Sequence, residues 1–322
     1  MCRAADTPGD RADTLAPTVP IAVVRLDFDP VIRAAGGAVR LETVGIAIGL
    51  LLALMLAAWI AGRPGPGPDP DLPSAQTFRS RMADLMLVVL AIVPGAVVGG
   101  RVGYALLHLD YYLAHPGAIV DPGQGSLELA LGVVGGAITG AYAASALGGR
   151  LGPWLHAAAM PALLAIAAGK VAMALGGDGQ GVPSNAPWAT SYVGPGPWGS
   201  LAPAIASHPS QLYEAGAAVL VLALVVAATV GGAFRRRDGL ALFIALGGWA
   251  IGRAIVATTW RDAPVLGPLG ADQLLCLGLA AACVGAAMVL ARRAGDSGAW
   301  SIVERTPAGR ARRDVEQREV HQ

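Results

Sequence analysis

Charged residues are scarce in this chain of 322 residues: they make up 14% of the sequence, and lysine occurs once, at Lys170. Globular domains usually carry about 25% charged residues. Aromatic residues are also few, at 5%, although 54% of all residues are hydrophobic. The apolar side chains are therefore mostly small or aliphatic, which is typical of membrane helices and argues against a soluble protein.

Two further scarcities exclude whole classes of function. The formal net charge is only +1, which rules out a nucleic-acid partner that is recognised by phosphate neutralisation. The 3 cysteines, Cys2, Cys276 and Cys283, provide neither a disulfide framework nor the spacing of a metal site. We therefore expect no metal, nucleotide or redox cofactor.

Long apolar runs dominate the rest of the sequence. A helix needs about 20 apolar residues to cross a bilayer. Seven runs of that kind are present, at 43–62, 83–107, 125–148, 155–176, 214–233, 239–259 and 271–291. They predict an all-α integral membrane protein with about seven transmembrane helices.

The distribution of arginine between the spans predicts the orientation in the membrane. One set of loops, together with the C-terminal tail, carries more than twice as many basic residues as the other set. Basic residues favour the cytoplasmic side of a membrane. We therefore expect the N-terminus to lie outside and the C-terminus to lie in the cytoplasm.

The spans also divide the chain into three parts. Residues 1–42 would form an extracytoplasmic tail, residues 43–291 a transmembrane domain with an outer loop at 177–208, and residues 292–322 a basic, disordered cytoplasmic tail. The segment 64–73, rich in proline and glycine, would be a flexible linker. No apolar run of adequate length precedes the first span, so we expect that span to be retained rather than cleaved.

Three cations lie inside the spans, and they predict a binding site. Arg101, Lys170 and Arg253 all fall toward the outer half of the membrane under the predicted orientation. A cation in the hydrocarbon costs several kcal/mol unless it has a partner or a function. Together they could bind an anion, and a lipid phosphate is the obvious one there. The alternative is that they reach the interface or pair for packing alone with Glu128, Asp178 or Glu214.

Two short motifs resemble those of a known family. GGRVGY at 99–104 and HPSQLYE at 208–214, followed by Arg253 in the next span, resemble the prolipoprotein diacylglyceryl transferases. The order and spacing of the motifs along seven helices also match, so the resemblance runs from about Thr43 to Leu290. HPSQLYE is the more specific motif, because seven matching residues at a helix start rarely arise by chance.

The resemblance implies an integral enzyme of the bacterial inner membrane. Such an enzyme would move the diacylglyceryl group of phosphatidylglycerol to the lipobox cysteine thiol of a prelipoprotein, with glycerol phosphate as the leaving group. The implied partners are phosphatidylglycerol, the prelipoprotein signal peptide and the lipid bilayer. A base or a positive field would favour the thiolate, and fixed cations would stabilise the leaving phosphate.

The fourth span departs from the family pattern at several positions. The family arginine is matched by Lys170, and the two family asparagines are matched by Met173 and Gly176. The family acid is matched by Asp178 and the glycine that follows it by Gly181. The charged residues of the family motif are thus retained, as Lys170 and Asp178, whereas the hydrogen bonds of its two asparagine amides are lost.

Further departures concern the expected proton acceptor. Ala130 stands nearest to the position of the family histidine in the third span. In the sixth span Trp249 and Arg253 match the family, but Ala257 replaces a glutamate. The candidates for a substitute proton acceptor are His208, Asp178 and Glu128.

The resemblance and the buried cations together define the candidate site. The catalytic candidates are Lys170, Asp178, His208 and Arg253. The substrate-binding candidates are Arg101, Tyr104, Gly181, Gln211, Tyr213, Glu214 and Trp249. Simpler structural roles stay open for some of them: His208 could cap the fifth span, with Pro209 at its first position, and Tyr213 and Glu214 could join neighbouring helices.

Three functions are compatible with these residues. The first is diacylglyceryl transfer, favoured by the intact HPSQLYE motif. The second is a catalytically impaired relative that keeps the anionic-lipid pocket and serves as a lipid-binding or partner protein, as the missing histidine and asparagines would suggest. The third is a small lipid or anion transporter, in which glycine-rich spans with buried cations line a path.

Overall fold

The computed structural model describes residues 23–34, 36–63, 74–121, 123, 126–148, 150–236 and 238–305. Within these ranges it contains eight α-helices. They are α1 (Leu41–Ala61), α2 (Ser74–Leu107), α3 (Leu109–Ala114), α4 (Leu129–Ala146), α5 (Leu151–Gly176), α6 (Ser210–Val230), α7 (Leu240–Val256) and α8 (Ala271–Arg305). Two short 3-10 helices follow α3 and α7, at Pro116–Ile119 and Ala257–Thr259.

Seven of the helices in the described part of the chain are long and apolar enough to cross a membrane. They are all of those named above except the short helix α3, so the prediction of a helical protein with seven apolar spans is confirmed. The predicted linker at 64–73 lies outside the described residues. Helix α8 continues past the predicted end of the last span to Arg305, and residues 306–322 lie outside the description.

Three short two-stranded sheets lie at one end of the helical bundle. β1 (Val24–Leu26) pairs in parallel with β4 (Thr190–Tyr192), β2 (Val31–Ala34) pairs with β3 (Gly37–Arg40), and β5 (Pro264–Leu266) pairs with β6 (Leu269–Gly270). The β1–β4 pair joins the segment before α1 to the α5–α6 loop, residues 177–209. We call this end, where α1, α4, α6 and α8 begin, the loop end.

Helices α2 and α4 approach each other closely because both carry glycines at their contact. A Cβ atom at Gly99 would collide with the carbonyl oxygen of Leu131, and one at Gly135 would collide with that of Gly95. Small residues of this kind allow close helix packing in lipid, where no hydrophobic force drives helices together. The close approach brings the start of α4, at Glu128, against the loop end of α2.

Helix α5 lies between α1 on one side and α6 and α7 on the other. Gly49 of α1 lies against Ala168 of α5. Leu163 of α5 and Trp249 of α7 are fully buried in the same apolar cluster. This packing brings Lys170 of α5 and Arg253, in the last turn of α7, beside Glu214 of α6.

Candidate functional site

A cavity of about 1280 Å³ opens among α1, α2, α4, α5, α7 and α8. Its wall includes Trp154 near the start of α5 and Lys170 near its end. At 1.5 Å per residue these two positions are roughly 24 Å apart along the helix, which is most of the thickness of a bilayer core. The volume exceeds the 300–1,000 Å³ typical of small-molecule sites, so the cavity has room for a lipid.

The wall of the cavity is apolar along most of its length and polar at one end. The apolar wall includes Ile46, Leu50, Val88, Ile92, Leu155, Ile166, Leu242 and Leu246. The polar wall, at the loop end, includes Glu42, Tyr104, Glu128, Lys170, Asp178, Arg253 and Asp272. An amphipathic ligand with long apolar chains and a charged head is the class of molecule that fits both parts.

At the polar end, Glu214 of α6 binds the cations of two other helices. The Nζ atom of Lys170 lies 2.9 Å from Oε2 of Glu214. Nη1 of Arg253 donates hydrogen bonds to Oε1 at 2.8 Å and to Oε2 at 2.9 Å. The side chains of Glu214, Arg253 and Lys170 are 1%, 5% and 11% exposed, so these charges depend on each other rather than on water.

Two more carboxylates face Arg253 from other elements. Nη2 of Arg253 lies 3.5 Å from Oε1 of Glu128 and 3.7 Å from Oδ2 of Asp272. The guanidinium also lies over the ring of Trp260, 4.5 Å from its centre. The cluster therefore contains two cationic and three acidic side chains, which nearly balances its formal charge and makes its burial tolerable.

Some polar atoms of the cluster are left for a ligand. Lys170, Arg253 and Asp272 all line the cavity. Nε of Arg253 and Oδ1 of Asp272 are buried and have no hydrogen-bond partner among the described residues. A buried polar group without a partner costs free energy unless something binds it, so these atoms mark a place where a polar ligand would be held.

The start of α4 holds Glu128 in place. Oε1 and Oε2 of Glu128 accept hydrogen bonds from the backbone N–H groups of Ala130 and Leu131, both at 2.6 Å. Its own N–H donates to the carbonyl of Gly100, at 2.8 Å. A side chain at Gly103 would collide with Glu128, which explains why α2 has glycine there.

Gln273 fixes the first turn of α8 in a similar way. Its Oε1 accepts a hydrogen bond from the N–H of Gly270 at 2.9 Å, and its Nε2 donates to the carbonyl of Ala254 at 3.1 Å. These bonds tie α8 to the last turn of α7. The neighbouring Asp272 is thereby held beside Arg253.

Asp178 lines the cavity near the start of α1. Nη2 of Arg40 lies 4.0 Å from its Oδ2 and 3.4 Å from Oε2 of Glu42. Burial raises the pKa of the Asp178 carboxyl, and the charge of Arg40 opposes that rise only in part. Tyr104 lies on the cavity wall too, stacked on His108 with 4.2 Å between the ring centres.

Two other predicted site residues, His208 and Tyr213, lie in a separate hydrogen-bonded chain. Nδ1 of His208 is 3.2 Å from the hydroxyl of Tyr213, which accepts a hydrogen bond from Nε1 of Trp188 at 2.6 Å. Neither His208 nor Tyr213 belongs to the described wall of the cavity. They connect the α5–α6 loop to the start of α6.

Gln211 and Gly181 also connect this loop to the bundle. Nε2 of Gln211 donates to the hydroxyl of Tyr192 at 3.1 Å, and that hydroxyl donates to the carbonyl of Ala174 at 2.8 Å. The carbonyl of Gly181 accepts a hydrogen bond from Nε of Arg261 at 2.7 Å. Gln211 thus holds the loop over the end of α5, and Gly181 joins it to the connection between α7 and α8.

Arg101 and Trp249 lie apart from the polar cluster. The guanidinium of Arg101 donates to the backbone carbonyls of the connection between α3 and α4, at Ala118, Ile119, Asp121 and Ser126. Trp249 is fully buried in the apolar core. Of the three cations grouped by depth in the sequence, the structure therefore brings Lys170 and Arg253 together and places Arg101 elsewhere.

Sequence reasoning did not place Asp272 and Trp260 among the site candidates. Trp260 has no local signal, because it approaches Arg253 only through the turn that follows α7. Asp272 did have one. A carboxylate inside an apolar span is as costly as a cation, so the position of Asp272 within the apolar run 271–291 is itself a signal of a functional residue.

Comparison with known proteins gives one consistent result. The family model described as prolipoprotein diacylglyceryl transferase matches residues 30–290. A phosphatidylglycerol–prolipoprotein diacylglyceryl transferase of Rhodopseudomonas palustris is 28% identical over 258 residues, which is 77% of this chain and 83% of the relative. The enzyme of that name from Methylocella silvestris is 29% identical over 283 residues, covering 84% and 96%.

A third relative matches over a shorter length. The phosphatidylglycerol–prolipoprotein diacylglyceryl transferase of Mesorhizobium japonicum is 30% identical over 190 residues. That alignment covers 59% of this chain and 62% of the relative, which is less than two thirds of the relative's own length. The family match includes every residue that lines the cavity.

Proposed function

This chain belongs to the prolipoprotein diacylglyceryl transferase family, and we propose that it transfers the diacylglyceryl group of phosphatidylglycerol to the lipobox cysteine thiol of prelipoproteins. Family membership assigns it to the diacylglyceryl transferases, and with its seven apolar helices it is a multi-pass membrane protein. We place its reaction at the outer face of the bacterial inner membrane, where the predicted orientation would put the loop end.

The form of the cavity is the observation that carries the proposal. Its apolar wall runs along α5 for most of a bilayer thickness and ends at Lys170 and Arg253. Two acyl chains would lie along the apolar wall, and the phosphate would lie at the cations. A phosphate is a stronger acceptor than a neutral head, because both cations form charge-assisted hydrogen bonds with it.

The chemistry follows from this placement. The cysteine sulfur attacks the glyceryl carbon that is bonded to the phosphate oxygen. A carbon–sulfur bond forms, the carbon–oxygen bond breaks, and its electron pair leaves with the phosphate of glycerol phosphate. Lys170 and Arg253, which Glu214 holds in fixed positions, stabilise the negative charge that develops on the leaving group.

A transfer assay tests the proposal. The purified full chain would be reconstituted in phosphatidylglycerol vesicles with a fluorescent lipobox peptide, and the products would be identified by mass spectrometry. We expect a thioether-linked diacylglyceryl peptide and an equal amount of released glycerol phosphate. A peptide with serine in place of cysteine is the matched control and should give no product.

Two results would contradict the proposal. One is the absence of product from folded protein that still binds phosphatidylglycerol, which would instead indicate a catalytically impaired relative. The other is product formation without release of glycerol phosphate, which would indicate a different bond cleavage.

A further inference from the structure

Asp272 is a carboxylate at the polar end of the cavity with an unused acceptor. Its Oδ2 lies 3.7 Å from Nη2 of Arg253. Its Oδ1 is buried and has no hydrogen-bond partner in the part of the chain that the structure describes. Asp272 also lines the cavity, so its carboxyl group borders the space that a bound molecule would occupy.

The other carboxylates at this end are engaged. Both oxygens of Glu214 bind the guanidinium of Arg253, and one also binds Lys170. Both oxygens of Glu128 accept backbone N–H groups of α4. Asp178 and Glu42 both face Arg40. Within the described residues of the polar wall, Asp272 is therefore the carboxylate that has a buried oxygen to offer.

We propose that Asp272 accepts the proton of the attacking cysteine thiol. This role rests on the proposed function, since it needs a thiol substrate at the polar end. The thiol proton moves to the Asp272 carboxylate as the sulfur–carbon bond forms. Glycerol phosphate leaves with the electron pair of the broken carbon–oxygen bond. After glycerol phosphate has departed, Asp272 releases the proton to solvent.

Charged groups from four elements face Asp272 and set the field at this position. Arg253 of α7 and Lys170 of α5 are the cations, whereas Glu128 before α4 and Asp262 in the α7–α8 connection are the acids. The two cations offset the charges of these two acids, and a thiolate next to Arg253 or Lys170 would be stabilised by the adjacent positive charge. Deprotonation and phosphate stabilisation would thus be performed within one cluster.

The test compares Asp272→Asn with the wild type in the vesicle assay. The asparagine keeps the size of the side chain but cannot accept a proton. We expect kcat to fall about 100-fold or more, in the range of a lost general base, with the KM for phosphatidylglycerol close to that of the wild type. Asp110→Asn, at an exposed site of α3, is the control and should leave kcat unchanged.

A pH series separates a proton acceptor from a merely structural carboxylate. A free cysteine thiol ionises with a pKa of about 8.5, so alkaline solution supplies thiolate without a base. The deficit of Asp272→Asn should therefore shrink roughly tenfold between neutral and alkaline pH. Asp272→Glu, which retains a carboxylate, should keep more activity than the asparagine variant. A cooperative thermal unfolding transition, measured for each variant, should show that it is folded.

The outcomes distinguish the two proposals. A deficit that is the same at every pH, or a raised KM with an unchanged kcat, would overturn the role of Asp272 while leaving the transferase intact. Full activity of Asp272→Asn would do the same. Absence of product from the wild type would overturn the proposed function, and the role of Asp272 with it.

Discussion

Nη1 of Arg253 lies 2.8 Å from Oε1 and 2.9 Å from Oε2 of Glu214, within the membrane-spanning part of the bundle. The same carboxylate binds Lys170, at 2.9 Å. One acid on α6 thus fixes cations of α5 and α7 at the depth where the cavity becomes polar. A buried ion pair adds little net stability over an apolar packing, because the two charges lose their hydration. Its consequence here is geometric, since it holds two cations ready for an anion.

Replacing Glu214 by glutamine tests the pairing. The change leaves the side-chain volume but removes the charge that Lys170 and Arg253 share. Breaking a buried ion pair from one side costs about 3 kcal/mol or more, so we expect a lower free energy of unfolding and a lower thermal midpoint in detergent. Activity should fall as well, because the cations lose their fixed positions. An unchanged thermal midpoint would contradict the pairing.

The glycine contact between α2 and α4 predicts a second stability effect. A methyl group at Gly135 would meet the carbonyl of Gly95. We therefore expect Gly135→Ala to lower the free energy of unfolding by about 1–3 kcal/mol, as overpacking does. Thermal unfolding in detergent measures the change.

Gly278 provides the matched control for this substitution. It lies in the helix α8, and none of the described residues has an atom within 4 Å of where its Cβ would be. Alanine favours a helix over glycine by up to about 1 kcal/mol, so Gly278→Ala should be neutral or slightly stabilising. Equal destabilisation by both alanines would show that the close approach of α2 and α4 is not the cause.

Asp178 predicts a pH dependence of stability. Burial raises the pKa of its carboxyl above the ordinary value of 3.8, so the folded protein binds this proton more tightly than the unfolded chain does. The contribution of Asp178 to stability is therefore greatest below the ordinary pKa and declines as the pH rises from there through the folded-state value.

The variant Asp178→Asn should lack this decline. Relative to the wild type, its unfolding midpoint should rise as the pH increases above about 4 and then stay level once the pH has passed the folded-state pKa of Asp178. The measurement is the difference between the two midpoints across a pH series. A difference that does not change with pH, or one that falls, would contradict the burial of Asp178.

Much of the fold could be predicted from the sequence, because a bilayer constrains it strongly. The length of each apolar run determines whether it spans, and seven runs became seven helices. The pairing of β1 with β4 could not be predicted, because it joins residues 24–26 to residues 190–192 through a contact that no local pattern encodes.

The site was predictable in part for a related reason. Lys170 and Arg253 stood out because a cation in an apolar span needs a partner. Depth along a helix can be read from the sequence, but its rotation toward a particular neighbour cannot. Arg101 shares the predicted depth of the other two cations, yet it faces the carbonyls of residues 118–126.

The most direct test of the account is the rate of diacylglyceryl transfer by Lys170→Met, measured beside wild type in phosphatidylglycerol vesicles. Methionine keeps the length and packing of the side chain and removes its charge. Arg150→Met, an exposed position before the first turn of the same helix, is the matched control. We predict that Lys170→Met loses at least about 100-fold in rate, while Arg150→Met matches the wild type. A Lys170→Met variant that transfers at the wild-type rate would contradict the claim that the polar end of the cavity performs the reaction.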